Sequence, residues 1–318
     1  MTDPYLTAID MLSGEALQHD VVEHAGKLLE KASAEGNAEA SERCALFEAF
    51  GMARPQSWPA ALDFLARAAE QGSRSAQEQL LLLNDSEIDP QPSSVAGETD
   101  WQAMRATIDL QRRLVPGEKQ SLSDSPRIRL IKSFATAAEC RWLIRLASDR
   151  LAPATVFDEQ TGSQTRARSR DNGHFVLRIE VMNVFTEVIR TRISAAARLP
   201  VPLFEPSQLL HYAPGERFKA HHDYFDPGNE ASRQQLERFG QRIATFLIYL
   251  NDSYSGGATS FPSIGLNYRG DIGDGLFFAN VTREGTPDAL TLHAGLPPTS
   301  GEKWVFSQWI RDQFPAHR

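Results

Sequence analysis

The hydrophobic and polar positions of the chain fall into two stretches with different periodicity. From about residue 15 to residue 83, alanine and leucine recur at helical spacing among glutamate and glutamine, which are good helix formers. From residue 127 onward, short apolar runs alternate with turn residues, which is typical of strands. The pattern therefore predicts a helical N-terminal part followed by a domain of helices and strands.

The helical stretch contains two segments of similar sequence. The ten residues at 31–40 resemble those at 67–76, and their glycines, Gly36 and Gly72, lie 36 residues apart. A repeat of this length is typical of helix–turn–helix solenoids, in which a left-handed glycine ends one helix of each pair. The stretch resembles two Sel1-like repeats, which are related to tetratricopeptide repeats. A plain helical bundle is the alternative.

A polar segment rich in Pro, Ser and Gly follows at residues 84–100 and is interpreted as a linker. A helix at 101–114, capped by Asp100, is predicted to close the solenoid before Pro116 and Gly117 interrupt the chain. We therefore predict a helical-repeat domain at residues 1–115 and a second domain at residues 116–318.

The second domain is predicted to begin with a strand at 128–131 and to contain helices at 136–151 and 176–199. Five strand-like runs follow, at 208–212, 242–250, 275–281, 290–293 and 304–309. Helices followed by a series of strands indicate an α+β domain built on a double sheet.

Composition narrows the class of protein further. The formal net charge is -8 and the pI is about 5.6, which argues against a nucleic-acid partner. Two cysteines, Cys44 and Cys140, exclude a disulfide framework and fit a reducing compartment. The first residues have no signal-peptide pattern, and no apolar run has the length that a bilayer needs. We expect a cytoplasmic protein without a membrane partner.

Candidate metal ligands lie in the strand-rich part. On a strand His221 and Asp223 face one side and His222 the other, and a further histidine, His293, lies 70 residues beyond Asp223 in another strand-like run. Two histidines and one carboxylate form the facial triad of non-haem Fe(II) oxygenases, which leaves metal positions open for a bidentate 2-oxo acid and dioxygen. By itself the pattern leaves two interpretations open, such a metal centre or histidines that lie in the core or at the surface without a metal.

A lysine ten residues after the distal histidine adds a cation to this prediction. A dicarboxylate co-substrate needs a fixed positive charge at its far carboxylate, and Lys303 supplies a compact one. The apolar residues that follow it, Trp304, Val305 and Phe306, favour a position inside the domain, and a solvated lysine at the surface is the alternative.

These residues and their order resemble the prolyl 4-hydroxylase family of 2-oxoglutarate oxygenases over residues 127–312. The matching segments are Tyr212-x-x-Gly215-x-x-Phe218-x-x-His221-x-Asp223-x-Phe225, Arg242-x-Ala244-Thr245-x-Leu247-x-Tyr249, Gly256-Gly257-Ala258-Thr259-x-Phe261-Pro262 and His293-x-Gly295-x-Pro297-x-x-x-Gly301-x-Lys303-Trp304. The segment Arg168-Ser169-Arg170 also matches, whereas Glu216 and residues 269–274 depart from the family pattern.

The resemblance implies a double-stranded β-helix (jelly-roll) catalytic domain with flanking helices. It implies Fe(II) as cofactor, 2-oxoglutarate and dioxygen as co-substrates, and ascorbate (vitamin C) as reductant. By position, the implied iron ligands are His221, Asp223 and His293, and the implied 2-oxoglutarate contacts are Lys303, Tyr212 and Thr245. The implied peptide-pocket residues are Arg242 and Trp309.

The predicted function is hydroxylation of prolyl residues in a peptide or protein substrate, with release of succinate and CO2. Two alternatives stay open: hydroxylation of a small molecule such as a free amino acid, and an inactive scaffold whose repeats bind a partner. Residues 158–172 and 226–240 are polar and contain glycine, so we interpret them as lids over the site. Ordinary loops are the alternative, and a short helix around Leu236 is a further alternative for the second segment.

Overall fold

The computed structural model describes residues 3–13, 18–85, 99–153, 155–158, 163–166 and 171–314. They group into two compact units. The first contains the described residues up to Val115 together with Val181–Arg192, and the second contains the described residues of 116–180 and those from Ile193 onward. Residues 181–192, which the sequence placed in the second domain, thus group with the first unit. Most of the predicted linker (86–98), parts of the first predicted lid (159–162 and 167–170) and the segment Arg168–Arg170 lie outside the described residues.

The first unit is helical, as predicted. Its helices are α1 (Pro4–Leu12), α2 (His19–Ala34), α3 (Ala38–Phe50), α4 (Trp58–Glu70), α5 (Arg74–Leu83), α6 (Trp101–Thr107) and α7 (Leu110–Leu114). Consecutive helices from α2 to α5 pack against each other. Gly36 and Gly72 follow α2 and α4 with φ of +97° and +93°, so both helix pairs turn in the same way. The identity of these pairs as Sel1-like repeats stays a prediction.

Local capping explains where these helices begin and one place where the prediction was wrong. The side chains of Asn37, Ser57 and Ser73 each accept a hydrogen bond from a backbone N–H three residues on. The single helix predicted at 101–114 is interrupted, because Ile108 is extended and the Asp109 side chain caps a new helix. Aspartate competes in this way with helix continuation.

In its described residues the second unit combines helices with two main sheets. The helices are α8 (Ala137–Ser148), α9 (Val184–Ala197), whose residues up to Arg192 belong to the first unit, and α10 (Glu230–Phe239). The strands are β1 (Lys119–Asp124), β2 (Arg127–Ile131), β3 (Ala152–Pro153), β4 (Thr155–Asp158), β5 (Ser163–Arg166), β6 (Gly173–Val176), β7 (Gln208–Tyr212), β8 (Phe218–His221), β9 (Arg242–Tyr249), β10 (Ser255–Gly256), β11 (Thr259–Phe261), β12 (Leu266–Tyr268), β13 (Gly275–Ala279), β14 (His293–Gly295), β15 (Pro298–Ser300) and β16 (Lys303–Arg311).

An eight-stranded sheet and a four-stranded sheet form the body of the second unit. The larger has the order β1-β2-β13-β9-β16-β7-β6-β3 and the smaller the order β12-β11-β14-β8. Buried apolar side chains of the larger sheet, such as Leu247 and Val305, share one core cluster with Phe261 of the smaller sheet. Strands that are buried on the facing sides of two antiparallel sheets make a jelly-roll core. The predicted α+β fold with a double-stranded β-helix is confirmed.

Two element predictions need correction. The helix predicted at 176–199 begins only at Val184, because the chain up to Val176 pairs with β7 as strand β6. The strand predicted at 290–293 is a 3-10 turn at Ala289–Thr291, capped by the Asp288 side chain, and β14 begins at His293. The second predicted lid contains helix α10, which Asn229 caps, in agreement with the short helix considered around Leu236.

Two glycines of this unit have the same backbone conformation in different surroundings. Gly273 and Gly285 both have φ of +84°, where a side chain on an L-residue is strained. A Cβ on Gly273 would lie 2.0 Å from the carbonyl oxygen of Ala135, whereas nothing lies within 4 Å of one on Gly285. Gly273 therefore permits a close approach of two backbone segments.

We expect Gly285→Ala to lower the free energy of unfolding by about 1 kcal/mol, from backbone strain alone. Gly273→Ala should lower it by about 3 kcal/mol or more, because backbone atoms must also move. Urea unfolding followed by tryptophan fluorescence measures both. Equal losses for the two variants would contradict the close packing at Gly273.

In the part of the chain that the structure describes, no helix is both long enough and apolar enough to cross a membrane.

Candidate metal centre and co-substrate pocket

The three predicted metal ligands converge at one end of the smaller sheet. His221 ends β8, His293 begins the neighbouring strand β14 directly opposite it, and Asp223 follows two residues after His221. One ligand atom from each lies within 4.8 Å of the others. The Nε2 atoms of His221 and His293 are each 3.5 Å from an oxygen of Asp223, one from each carboxylate oxygen.

Backbone carbonyls orient both imidazoles toward this point. Nδ1 of His221 lies 2.8 Å from the carbonyl oxygen of Lys219, and Nδ1 of His293 lies 2.9 Å from that of Thr291. Because a carbonyl oxygen only accepts, each Nδ1 carries the hydrogen and each Nε2 presents a lone pair to the site. Burial, and then the neighbouring His221, lower the pKa of His293 to about 4, so its ring is neutral at neutral pH.

The Asp223 carboxylate is buried and ionised. Burial by itself raises the pKa of this carboxyl, but the neighbouring His293 and His221 and a hydrogen bond from Thr245 outweigh burial and hold the pKa far below its usual range. The Thr245 hydroxyl donates to Oδ2 over 2.6 Å. Two imidazoles and one carboxylate that converge in this way form a donor set that fits a divalent transition metal.

His222 is directed elsewhere, as its position on the opposite face predicted. Its Nε2 lies 3.1 Å from the carbonyl oxygen of Ala289, and its ring stacks on Tyr224 with centroids 4.6 Å apart. Among the described residues, the three-residue cluster with metal-ligand geometry does not include it.

A pocket leads from the cluster to a buried lysine. Lys303 is only 2% exposed, and its ammonium donates a hydrogen bond to the carbonyl oxygen of Gly257 over 2.7 Å. Burial lowers the pKa of Lys303 to about 7. The cavity is lined by Leu210, Tyr212, Phe218, His221, Asp223, Thr245, Leu247, Thr259, His293, Gly295, Lys303, Val305, Ser307 and Trp309. A dicarboxylate in this cavity could contact a metal held by His221, Asp223 and His293 at one end and Lys303 at the other.

The other predicted co-substrate contacts differ in their surroundings. Tyr212 pairs with Lys303 across β7 and β16, and its ring centroid lies 5.4 Å from Nζ of Lys303. Thr245 also lines the pocket, but it directs its hydroxyl proton to Asp223. The structure therefore places Thr245 beside the metal ligand, a partnership that the sequence did not predict.

The two predicted substrate-pocket residues contact each other. The guanidinium of Arg242 lies 3.7 Å from the ring centroid of Trp309 and makes two hydrogen bonds, of 2.6 and 2.8 Å, to Glu205. Arg311 contacts the same carboxylate over 2.5 Å. Trp309 lines the cavity, whereas Arg242 is not among the residues that line it.

Gln241 holds the backbone near the metal ligands, and no motif in the sequence predicted this role. Its side chain accepts a hydrogen bond from the backbone N–H of Phe225 over 2.8 Å and donates one to the Phe225 carbonyl over 2.7 Å. These bonds close the segment that contains α10 and fix the backbone two residues after Asp223. Only the tertiary structure reveals the pairing, because the partners lie 16 residues apart on either side of a helix.

Thr245→Val should weaken metal binding about tenfold, because partners of a ligand carboxylate typically contribute that much to metal affinity. Thr245→Ser, which keeps the hydroxyl, is the matched control and should bind metal nearly as the unaltered protein does. Titration of the metal-free protein with Fe(II) under argon gives the dissociation constants. Unchanged affinity in the valine variant would show that the hydroxyl has no part in holding Asp223.

Comparison with known proteins gives a consistent result. The family model for the 2OG-Fe(II) oxygenase superfamily matches residues 207–311. Prolyl 4-hydroxylase 1 of Arabidopsis thaliana is 33% identical over 206 residues, which cover 60% of this chain and 71% of that protein. Probable prolyl 4-hydroxylase 9 of the same plant is 34% identical over 211 residues, or 61% and 72% of the two chains.

The crystal structure of a viral collagen prolyl hydroxylase from Paramecium Bursaria Chlorella virus-1, as its 2OG complex, aligns with a TM-score of 0.46 and 25% identity. The alignment covers 59% of this chain and 98% of the viral chain.

Proposed function

Because this chain belongs to the prolyl 4-hydroxylase-like members of the 2OG-Fe(II) oxygenase superfamily, we propose that it hydroxylates prolyl residues of a peptide or protein substrate. The chain is a 2-oxoglutarate-dependent dioxygenase that uses Fe(II). The observation that carries the proposal is the convergence of His221, Asp223 and His293 in one cavity with the buried Lys303.

In this proposal His221, Asp223 and His293 hold Fe(II). When bound, Fe(II) supplies the activation of dioxygen by which one oxygen atom enters a substrate C–H bond while 2-oxoglutarate is split to succinate and CO2. The chain contributes orientation: the Lys219 and Thr291 carbonyls fix the two imidazoles. A ligand set that occupies only one face of the metal leaves positions for co-substrates.

Lys303 is proposed to bind the far carboxylate of 2-oxoglutarate. Its amine is buried and has a backbone carbonyl as hydrogen-bond partner, so an incoming carboxylate would gain a charge-assisted bond in a site of low dielectric. Tyr212, opposite Lys303 in the sheet, is proposed as a second contact.

The proposed prolyl site lies beside Trp309. An indole that lines the cavity offers an apolar face to a pyrrolidine ring. The ion pair of Arg242 with Glu205 holds the guanidinium against this indole and keeps it in one orientation. The direct observation in support is the position of Trp309 in the same cavity as the metal ligands.

We also propose that the helical first unit consists of Sel1-like repeats that hold the peptide or protein partner. The equivalent left-handed turns at Gly36 and Gly72 support the repeat. Two buried cysteines without a disulfide, Cys44 and Cys140, are in keeping with a reducing compartment, and we propose the cytoplasm.

The test measures succinate and peptide mass together. Protein purified without oxygen is given Fe(II), 2-oxoglutarate, ascorbate and then air, with and without a proline-rich peptide. We expect succinate formation that the peptide stimulates, and a peptide that gains the mass of one oxygen atom on a prolyl residue. Succinate formation that is lost in His221→Ala but does not increase with the peptide would favour a small-molecule substrate. The absence of both succinate and bound iron would leave the scaffold alternative.

A further inference from the structure

Resting on the proposed iron site, we propose that Asn280 is a positioning residue that orients the Asp223 carboxylate through the hydroxyl of Thr245. Asn280 follows strand β13 and has no exposed surface. Its side-chain Nδ2 donates to Oγ1 of Thr245 over 3.1 Å, and Thr245 donates to Oδ2 of Asp223 over 2.6 Å. The three side chains thus form one continuous line of hydrogen bonds.

The direction of the protons in this line follows from the chemistry of its ends. A carboxylate that serves as a metal ligand only accepts, so at 2.6 Å Oδ2 of Asp223 takes the single proton of the Thr245 hydroxyl. The remaining lone pairs of Oγ1 can then only accept. An amide N–H fits this position, and it prevents the hydroxyl from turning its proton away from the ligand.

The backbone holds Asn280 in place for this role. Its N–H donates to the carbonyl oxygen of Ile243 over 2.8 Å, and its carbonyl accepts from the N–H of Asp288 over 3.0 Å. In the sheet, Phe278 lies opposite Thr245, so Asn280 continues β13 beside the start of β9. The amide therefore approaches Thr245 from a rigid element.

Folding alone does not favour an amide at this position. Oδ1 of Asn280 is buried and accepts no hydrogen bond from any residue that the structure describes. A buried acceptor without a partner is unfavourable, and an apolar side chain of similar shape would avoid that cost. The amide instead serves the polar line that ends at the metal ligand.

A double-mutant cycle on metal affinity tests the relay. The dissociation constant for Fe(II) is measured under argon on the full chain and on the variants Asn280→Leu, Thr245→Val and their combination. Each single variant is expected to bind Fe(II) about tenfold more weakly. Because Asn280 acts through Thr245, the double variant should also lose about tenfold and not about a hundredfold. Asn267→Leu, at an exposed asparagine of β12, is the matched control and should bind normally.

The outcomes separate this inference from the proposed function. An Asn280→Leu affinity within about twofold of the unaltered protein, or additive losses in the double variant, would overturn the relay. Metal binding that does not require His221 would overturn the proposed iron site itself. If the leucine variant does not fold, as judged by its thermal melt without metal, Asn280→Ala takes its place in the same cycle. A general structural role for Asn280 would lower the melting temperature without coupling to Thr245.

Discussion

His221→Ala is expected to lose Fe(II) binding and at least about a thousandfold in 2-oxoglutarate turnover. The adjacent variant His222→Ala should keep both within about threefold. The two histidines are neighbours in sequence, yet only His221 directs a ring nitrogen at Asp223. The pair therefore separates a metal ligand from a histidine that happens to lie nearby.

The physical reason is the small number of ligands. With one of three donors removed, the remaining imidazole and carboxylate no longer define one face of a metal, and the site cannot hold it firmly. His222 contacts the Ala289 carbonyl and Tyr224, so its loss affects only a partly exposed surface.

Two measurements check this expectation on the same samples. Bound iron is counted after anaerobic loading, and succinate is followed after air is admitted. Circular dichroism serves as the control that both variants fold. Equal effects of the two substitutions, or turnover that survives in His221→Ala, would contradict the assignment of the ligands.

Lys303→Met should raise the KM for 2-oxoglutarate at least about a hundredfold, because a fully buried charged partner of a carboxylate is removed. The same variant is expected to stabilise the protein in the absence of co-substrate, by about 1–3 kcal/mol. Burial lowers the pKa of Lys303 from its ordinary 10.5 to about 7. That drop corresponds to a free-energy cost of at most about 5 kcal/mol for burying the charge. Methionine avoids this cost but cannot make the hydrogen bond to the Gly257 carbonyl, so the net stabilisation is smaller.

The pH dependence has a definite sign. Between pH 7 and 10.5 the unfolded chain keeps the proton on Lys303 while the folded chain releases it. The unfolding free energy of the unaltered protein therefore rises with pH through this window, and the penalty is fully present below it. The stabilisation by Lys303→Met should accordingly be largest below pH 7 and shrink as the pH rises.

Co-substrate affinity should fall over the same range. Because 2-oxoglutarate binds the protonated amine, its KM should approach a tenfold rise per pH unit above about pH 8. Lys219→Met, at an exposed lysine of β8, is the control for both measurements. Urea unfolding without 2-oxoglutarate and succinate kinetics provide the data. A variant that is both less stable and unchanged in KM would contradict a buried, co-substrate-binding Lys303.

Much of the fold could be predicted from interactions between residues that are close in sequence. Helical spacing and good capping residues predicted the N-terminal helices, and Thr136 with Glu139 begins α8 through a reciprocal pair of hydrogen bonds. Alternation along a strand predicted that His221 and Asp223 would point together and His222 away. These features depend on residues within a few positions of one another, so the sequence by itself determined them.

The predicted elements were wrong where a nearby polar side chain forms hydrogen bonds with the backbone and interrupts the helix or strand. Asp109 divided the helix predicted at 101–114, and Asp288 replaced the first part of a predicted strand by a turn. Periodicity records which side chains are buried, and it does not record whether an aspartate caps the backbone beside it.

Partnerships between distant side chains were decided only by the tertiary structure. Thr245 contacts Asp223, Asn280 contacts Thr245, and Gln241 closes on Phe225 because strand register and chain closure bring these residues together. A one-residue change of register would turn each side chain to the opposite face without altering any local pattern. The sequence therefore determined which residue types could hold a metal and a dicarboxylate, whereas the packing of the two sheets decided which groups orient them.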